Sequence, residues 1–438
     1  MTNPDRHTHL GRRAVLTGLL WAGGAGAGVA ASGRGSTRDG GGQVPRVPGA
    51  PGPLGDDTAV LNAMFAAGGV VRVPGREYSV SVDEKGSCLV VDVPGTRVSF
   101  DPGAVIRLQP TSLSGYVVLA VSAEDCRITG GVVVGDLRRH GGTEGEWGHG
   151  VSLVAGADRC TLTGVTATEC WGDGFFVAGA VTDVHLEGCV AADNRRQGLS
   201  VVDAVRPRVT GGRYGSTGRL GQTVPASGID LEPNLDGAVV GAVLERVALS
   251  GNRGHGLLVS ARHGPVEASV TACTASRNGD AGILVDGPGA AVVVDGCTAT
   301  ANARGMASTS EVRGLVGTRI VATASTGRGF ELDGTGNRLV ACTAAANGGS
   351  GFLVRATAVD TVLDRCEGSG NSTRAVVPDF DVAGPNTRVD GARSRAGSGR
   401  PSSAVVLRET ATGASVVDGA WVGPYGVTPF QDQRDSVA

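Results

Sequence analysis

Val270-Thr271-Ala272-Cys273-Thr274-Ala275-Ser276-Arg277-Asn278-Gly279-Asp280-Ala281-Gly282-Ile283-Leu284-Val285 decides the fold, because the chain that follows repeats it. Cys297-Thr298-Ala299 restates Cys273-Thr274-Ala275, Asn302 restates Asn278, and Gly305 restates Gly282. Working outward from Gly282, a glycine followed by apolar–any–apolar recurs at Gly150 (Val-Ser-Leu), Gly174 (Phe-Phe-Val), Gly198 (Leu-Ser-Val), Gly228 (Ile-Asp-Leu), Gly256 (Leu-Leu-Val), Gly329 (Phe-Glu-Leu) and Gly351 (Phe-Leu-Val), with Gly305 (Met-Ala-Ser) a weaker copy. The spacings are 24, 24, 30, 28, 26, 23, 24 and 22 residues. A period of this size holds three short strands and three turns. One such unit cannot bury its own apolar face, so neighbours must stack. Leucine-rich repeats share the period but need a Leu-x-x-Leu-x-Leu frame, which is missing, and helical repeats need long glycine-free runs, also missing.

Two further columns support stacked coils. Cys189, Cys273, Cys297, Cys342 and Cys366 share one position, and Asn194, Asn252, Asn278 and Asn347 each stand four residues before their glycine, with Asn302 and Asn371 continuing the column. Identical amides form a hydrogen-bonded ladder when coils lie about 4.8 Å apart. The pattern predicts an all-β, right-handed, single-stranded parallel β-helix, with the column cysteines as small inward-facing side chains instead of disulfide partners.

Composition agrees. Glycine makes up 73 of 438 residues, without the period of collagen, and 41% of residues are hydrophobic, too many for a disordered chain. Lys85 is the single lysine beside 38 arginines, so lysine-based catalysis is excluded from most of the chain. Arg12-Arg13 before an apolar, glycine-rich stretch ending in Gly28-Val29-Ala30-Ala31-Ser32 reads as a twin-arginine export signal over residues 1–32. Residues 33–54 read as a flexible linker, residues 55–383 as the β-helix, and residues 384–438 as a final coil and tail. The expected location is therefore secreted or cell-envelope. The net charge of −3 argues against a nucleic-acid partner, and no later stretch is long and apolar enough to anchor the exported chain in a membrane. No interface signature shows an oligomeric state.

Asp56-Asp57-Thr58-Ala59-Val60-Leu61-Asn62-Ala63-Met64-Phe65-Ala66-Ala67-Gly68-Gly69 followed by Val70-Val71-Arg72-Val73-Pro74-Gly75 completes the picture. Together with the repeat, it resembles the pectin-lyase-like superfamily of secreted β-helix proteins, across roughly residues 55–383. The resemblance implies a short capping helix followed by the first strand. Asp56 or Asp57 suits the helix N-cap, Gly68-Gly69 suits its end, and a solenoid end needs such a cover for its strand edges. Activity is less constrained, since the superfamily holds lyases, hydrolases, epimerases and phage or adhesin spikes.

Side chains alternate along a strand, so positions −1, +2 and +4 around each anchor glycine should face outward. The −1 column reads His149, Asp173, Gln197, Ser227, His255, and the +2 and +4 columns carry Asp230 and Glu232. These two stand in Gly228-Ile229-Asp230-Leu231-Glu232-Pro233-Asn234, with Cα atoms expected about 6.6–7 Å apart on one face. Paired carboxylates at such range suit glycosidic bond cleavage. Asp173, as a third acid, would raise a neighbour's pKa. Arg195, Arg196 and Gln197 could neutralise an acid or hold a substrate carboxylate or hydroxyl, and His149 and His255 could act as acid–base groups. Trp147 and Trp171 are expected to form an exposed strip for sugar stacking. Arg213-Tyr214-Gly215-Ser216-Thr217-Gly218-Arg219-Leu220-Gly221-Gln222-Thr223-Val224-Pro225 is expected to wall the groove, presenting Tyr214. Arg195-Arg196-Gln197-Gly198 with Gly228-Ile229-Asp230-Leu231-Glu232-Pro233-Asn234 resembles exported carbohydrate-active β-helix proteins.

The leading expectation is a polysaccharide-cleaving glycoside hydrolase without a cofactor. A uronate lyase or C5-epimerase is the alternative. The superfamily's pectate lyases use calcium with an arginine or lysine base, a part open here to Arg195 or Arg196. The epimerase arrangement wants a tyrosine and histidine beside an aspartate, with Tyr214 the one tyrosine near. A third reading is a non-catalytic glycan-binding or cell-surface β-helix. No metal-ligand spacing such as Cys-x-x-Cys is present, though outer-face acids could still hold calcium.

Overall fold

The computed structural model describes residues 55–83, 86–221, 223–397 and 401–434. The stretches expected as export signal and linker, residues 1–32 and 33–54, and Lys85 lie outside the described residues. Thr58–Ala66 form a short helix whose Leu61 and Phe65 are fully buried over the first coil. Asp56 supplies the side-chain cap, accepting from Thr58 N at 2.9 Å, while Asp57 instead takes Ser79 N at 3.0 Å and Arg76 at 2.8 Å. Val70–Val73 follow as the first strand.

From there every coil contributes one strand to each of three parallel sheets, giving about fourteen turns of all-β solenoid. The expected parallel β-helix with its N-terminal helix is the fold observed. Parallel register is kept from coil to coil in the third sheet: Ser152 lies beside Phe176, Ser200 beside Asp230, and Asp230 beside Leu258. The solenoid runs further than the sequence suggested. Residues 384–438 were expected to hold one last coil. They hold two, with third-sheet strands Val405–Leu407 and Phe430–Asp432. The repeat weakens there because no anchor glycine opens those strands: Ala404 and Pro429 stand in its place.

The anchor glycines mark close approach of coils and not unusual backbone. None of the nine has positive φ. A Cβ at Gly198 would lie 2.4 Å from the carbonyl oxygen of Gly228, and one at Gly228 would lie 2.7 Å from that of Gly256. Bulk at this turn would therefore push coils apart. Inside, Phe330, Phe352 and Phe380 stack with centroids 4.9 and 4.7 Å apart, the coil repeat itself. The asparagine column forms the expected ladder: Asn252 Nδ2 donates to Asn278 Oδ1 at 3.0 Å, and Asn278 Nδ2 to Asn302 Oδ1 at 2.9 Å. All nine cysteines are buried and unbridged.

Candidate functional site

The outward columns of the third sheet bring the candidate residues together where Trp147–Leu153, Phe175–Val177, Leu199–Val201, Ile229–Leu231 and Leu257–Ser260 lie side by side. Ile229 and Leu231 enter the core, which turns Asp230 away from it. Asp230 is nevertheless only 1% exposed, because polar neighbours from three coils close around it. Gln197 Nε2 donates to Asp230 Oδ2 at 2.8 Å, and Gln197 Oε1 accepts from Ser227 N at 2.6 Å. The Gln197 amide is thereby fixed, with a donor aimed at the acid.

Burial first, then the negative charge of Glu232 and a hydrogen bond between the two carboxyl groups, hold Asp230 well above the usual carboxylate range. A desolvated carboxyl beside a second one keeps its proton. Glu232 is half-buried and receives Ser260 Oγ at 3.4 Å.

Asp173 is fully buried behind this pair and holds Arg196 at 2.9 Å. Burial raises its pKa, against the pull of Arg196, Ser200 and the Gln197 amide. Arg196 also meets Glu146 at 3.2 Å. Burial works against its charge, yet Asp173, Glu146, Asp230 and Glu232 together keep it charged. His149 stacks on Phe176 at 4.3 Å and lies 3.4 Å from Asp173. Burial, helped by Arg196, pushes His149 down to about 3, so the ring is neutral at ordinary pH. His255 is also lowered by burial, Asp280 partly offsetting it at 3.9 Å, and its Nδ1 has no hydrogen-bond partner among the described residues.

Three expectations need correction. Trp147 is 47% exposed but Trp171 only 8%, so no two-tryptophan strip forms. Residues 136–145 fold over Trp171: His140 stacks on it at 3.8 Å, Glu144 O accepts from its Nε1 at 3.4 Å, and Arg195 lies over its other side at 3.8 Å. Arg195 in turn donates to Gly145 O at 2.6 Å and to Trp171 O at 3.2 Å, so it clamps this loop. Tyr214 belongs to the strand Arg213–Gly215 and is 0% exposed, packed edge-on against Phe175 inside the solenoid. Its alternation places it inward, so it presents nothing to the groove. The rest of its loop does reach the site edge, since Gly221 comes against the Arg195 side chain.

Sequence reading missed Glu146, Ser200, Ser260 and Phe176 as partners. The last three were legible as outward column positions. Glu146 was not, lying before the repeat begins. Asp173 and Asp230 are engaged by Arg196 and Gln197, and no group of three or more His, Cys, Asp or Glu side chains among the described residues could hold a metal ion.

A family model described as "Right handed beta helix region" matches residues 225–378. No curated protein matches the chain. Among solved structures, the A-module of the mannuronan C-5 epimerase AlgE6 of Azotobacter vinelandii is 15% identical, with 86% of this chain and 96% of that chain covered and a TM-score of 0.51. The AlgE4 A-module of the same organism is 18% identical over 86% and 94%, TM-score 0.47. The surface protein and adhesin PfbA of Streptococcus pneumoniae is 9% identical over 87% and 96%, TM-score 0.47. The fold is a right-handed parallel β-helix.

Proposed function

We propose that this β-helix is an exported carbohydrate-active enzyme that hydrolyses glycosidic bonds of a polysaccharide lying along its third sheet. The observation that carries the reading is Asp230, 1% exposed beside Glu232, its pKa raised by burial and by that neighbour's charge. Glu232, at the groove surface, would meet the substrate, and Asp230 behind it would store the proton. A hydrogen-bonded pair is closer than the about 5–9.5 Å at which two carboxyls flank a glycosidic bond from opposite sides. The pair therefore acts as one acid. It protonates the leaving oxygen as the carbon–oxygen bond breaks. His255, neutral and with an unsatisfied ring nitrogen on the next coil, accepts the proton of the water that attacks the anomeric carbon. Export through the twin-arginine route fits Arg12-Arg13, and the folds it resembles include one named for action on mannuronan, an analogy of fold alone.

An arginine-based lyase is less well supported, because Arg196 is held by two acids and Arg195 by two carbonyls. An epimerase tyrosine is also wanting, since Tyr214 is inside the core. The test is a polysaccharide panel read for new reducing ends and for unsaturated-uronate absorbance. Asp230→Asn and Glu232→Gln should each cost about 10²–10⁴ in rate without lowering the unfolding temperature. Unchanged cleavage by both variants, or unsaturated products from the native protein, would overturn the assignment.

A further inference from the structure

At the turn leading from the second sheet to the third, beside the groove, lies a cavity of about 450 Å³. Arg219, Arg253 and Arg277 line it with Asn252 and Asn278, and no Asp or Glu does. Several exposed arginines elsewhere on the turns are matched, Arg159 with Glu124 and Asp125, Arg206 with Asp183, and Arg319 with Asp295. Here the Arg253 and Arg277 side chains have no ion-pair or hydrogen-bond partner among the described residues, and Arg219 donates only from Nε, to Gly251 O at 3.2 Å. The Asn252 and Asn278 amides are occupied by the ladder. The free donors of the cavity are therefore guanidinium groups. Three positive charges gather at one spot on a chain whose formal net charge is −3. Close backbone keeps the spot open: a Cβ on Gly251 would come within 3.1 Å of the Arg219 guanidinium.

The cavity's arginines stand on the coil of Asp230 and the two coils that follow it. Arg253 belongs to the coil of Leu258, the strand neighbour of Asp230, and Arg277 to the coil of Leu284 beyond it. That places the arginines about 5–10 Å along the axis from the acid pair. Further on, Arg304 pairs with Asp280 at 2.6 Å, while Arg328 and Arg355 meet Glu331.

We propose that Arg219, Arg253 and Arg277 form a subsite for an anionic substituent, a carboxylate or a sulfate ester, on the polysaccharide, so that the substrate is an acidic glycan. This rests on the glycan reading above. Planar guanidinium forks match both groups geometrically, and the attraction falls as salt screens it.

The test measures binding, not turnover. The mature protein is titrated calorimetrically with polygalacturonate, dextran sulfate and uncharged dextran, beside an Arg253→Gln/Arg277→Gln variant. The native protein should bind at least one charged polymer, more weakly at higher salt, and dextran not at all. The double variant should lose at least tenfold in affinity with its unfolding midpoint unchanged, since both side chains are exposed. The polymer preferred tells carboxylate from sulfate. Equal affinity in the variant, equal binding of dextran, or no binding of either charged polymer would overturn the proposal. Arginine-dependent binding with no product from any polymer would remove the hydrolase reading and leave this one. Cleavage of a neutral glycan with acidic ones ignored would do the reverse.

Discussion

Asp379 offers a test of the fold's electrostatics in which the magnitude follows from the structure. It terminates the last rung of the asparagine ladder: Oδ1 accepts from Asn371 Nδ2 at 2.7 Å and Oδ2 from Ser394 Oγ at 2.6 Å. It is 1% exposed, and burial pushes its pKa from 3.8 to about 6, against these hydrogen bonds. Between those values the unfolded chain has released the proton and the folded chain still holds it. Stability therefore falls as pH rises from about 4 to about 6, then levels off. Two units at 1.36 kcal/mol each give about 3 kcal/mol. Asp379→Asn keeps the amide oxygen for Asn371 but never ionises. Subtracting the native from the variant stability cancels every other titrating group. The difference, from urea unfolding followed by circular dichroism, should grow by about 3 kcal/mol in favour of the variant between pH 4 and pH 7. A flat difference would refute the reasoning, showing that the carboxyl is solvated or already ionised at low pH.

Other consequences are as direct. His149, held near 3 instead of 6.5, must take up a proton on unfolding, so stability should fall as pH drops from about 6.5 to 3, by up to about 5 kcal/mol, and His149→Phe should flatten that limb in acid titration. Arg196→Met leaves Asp173 buried without its partner and should cost about 3–5 kcal/mol in urea unfolding, most of it recovered in Arg196→Met/Asp173→Leu. Gly228→Ala forces a methyl to within 2.7 Å of Gly256 O and should destabilise by about 1–3 kcal/mol or abolish soluble expression. The nine buried thiols should be silent to a thiol reagent in the native state and all react after denaturation.

The fold was legible because its constraint is local and periodic. Each anchor glycine meets the next coil's carbonyl, each ladder asparagine meets the next amide, and both must recur in sequence at every turn. The site was legible only as direction. Column reading put Asp173, Gln197, Asp230 and Glu232 on one face, and the structure brings them together there. What covers that face was not legible, because Trp171 is buried by residues 136–145, a segment outside the repeat. Tyr214 was misassigned for a simpler reason: residues 213–225 were taken wholly as loop, while the first three of them still form a strand, Arg213–Gly215. Inside a strand the alternation that aims Asp230 outward aims Tyr214 inward.

The same column holds acids in two kinds of surroundings. In the described third-sheet strands, the position of Asp230 is occupied by two other acids further along, Glu331 and Asp381. Each is answered by arginine: Arg355 and Arg328 reach Glu331, and Arg408 holds Asp381 at 2.6 Å. Such pairs tie one coil to the next. Asp230 has no guanidinium within hydrogen-bonding reach. Its nearest arginine, Arg196, is committed to Asp173 and Glu146, and its direct partners are a neutral amide and a second carboxyl. Repetition alone would have placed arginine beside it too. The repeat instead supplies Gln197 and Glu232, the two substitutions that leave a proton on the acid. Replacing Gln197 by Arg should therefore convert the site to the arginine-paired kind, lowering the pKa of Asp230 and with it the acid-dependent rate. If Gln197→Arg left the pH–rate profile unmoved, the proton on Asp230 would have no part in the chemistry.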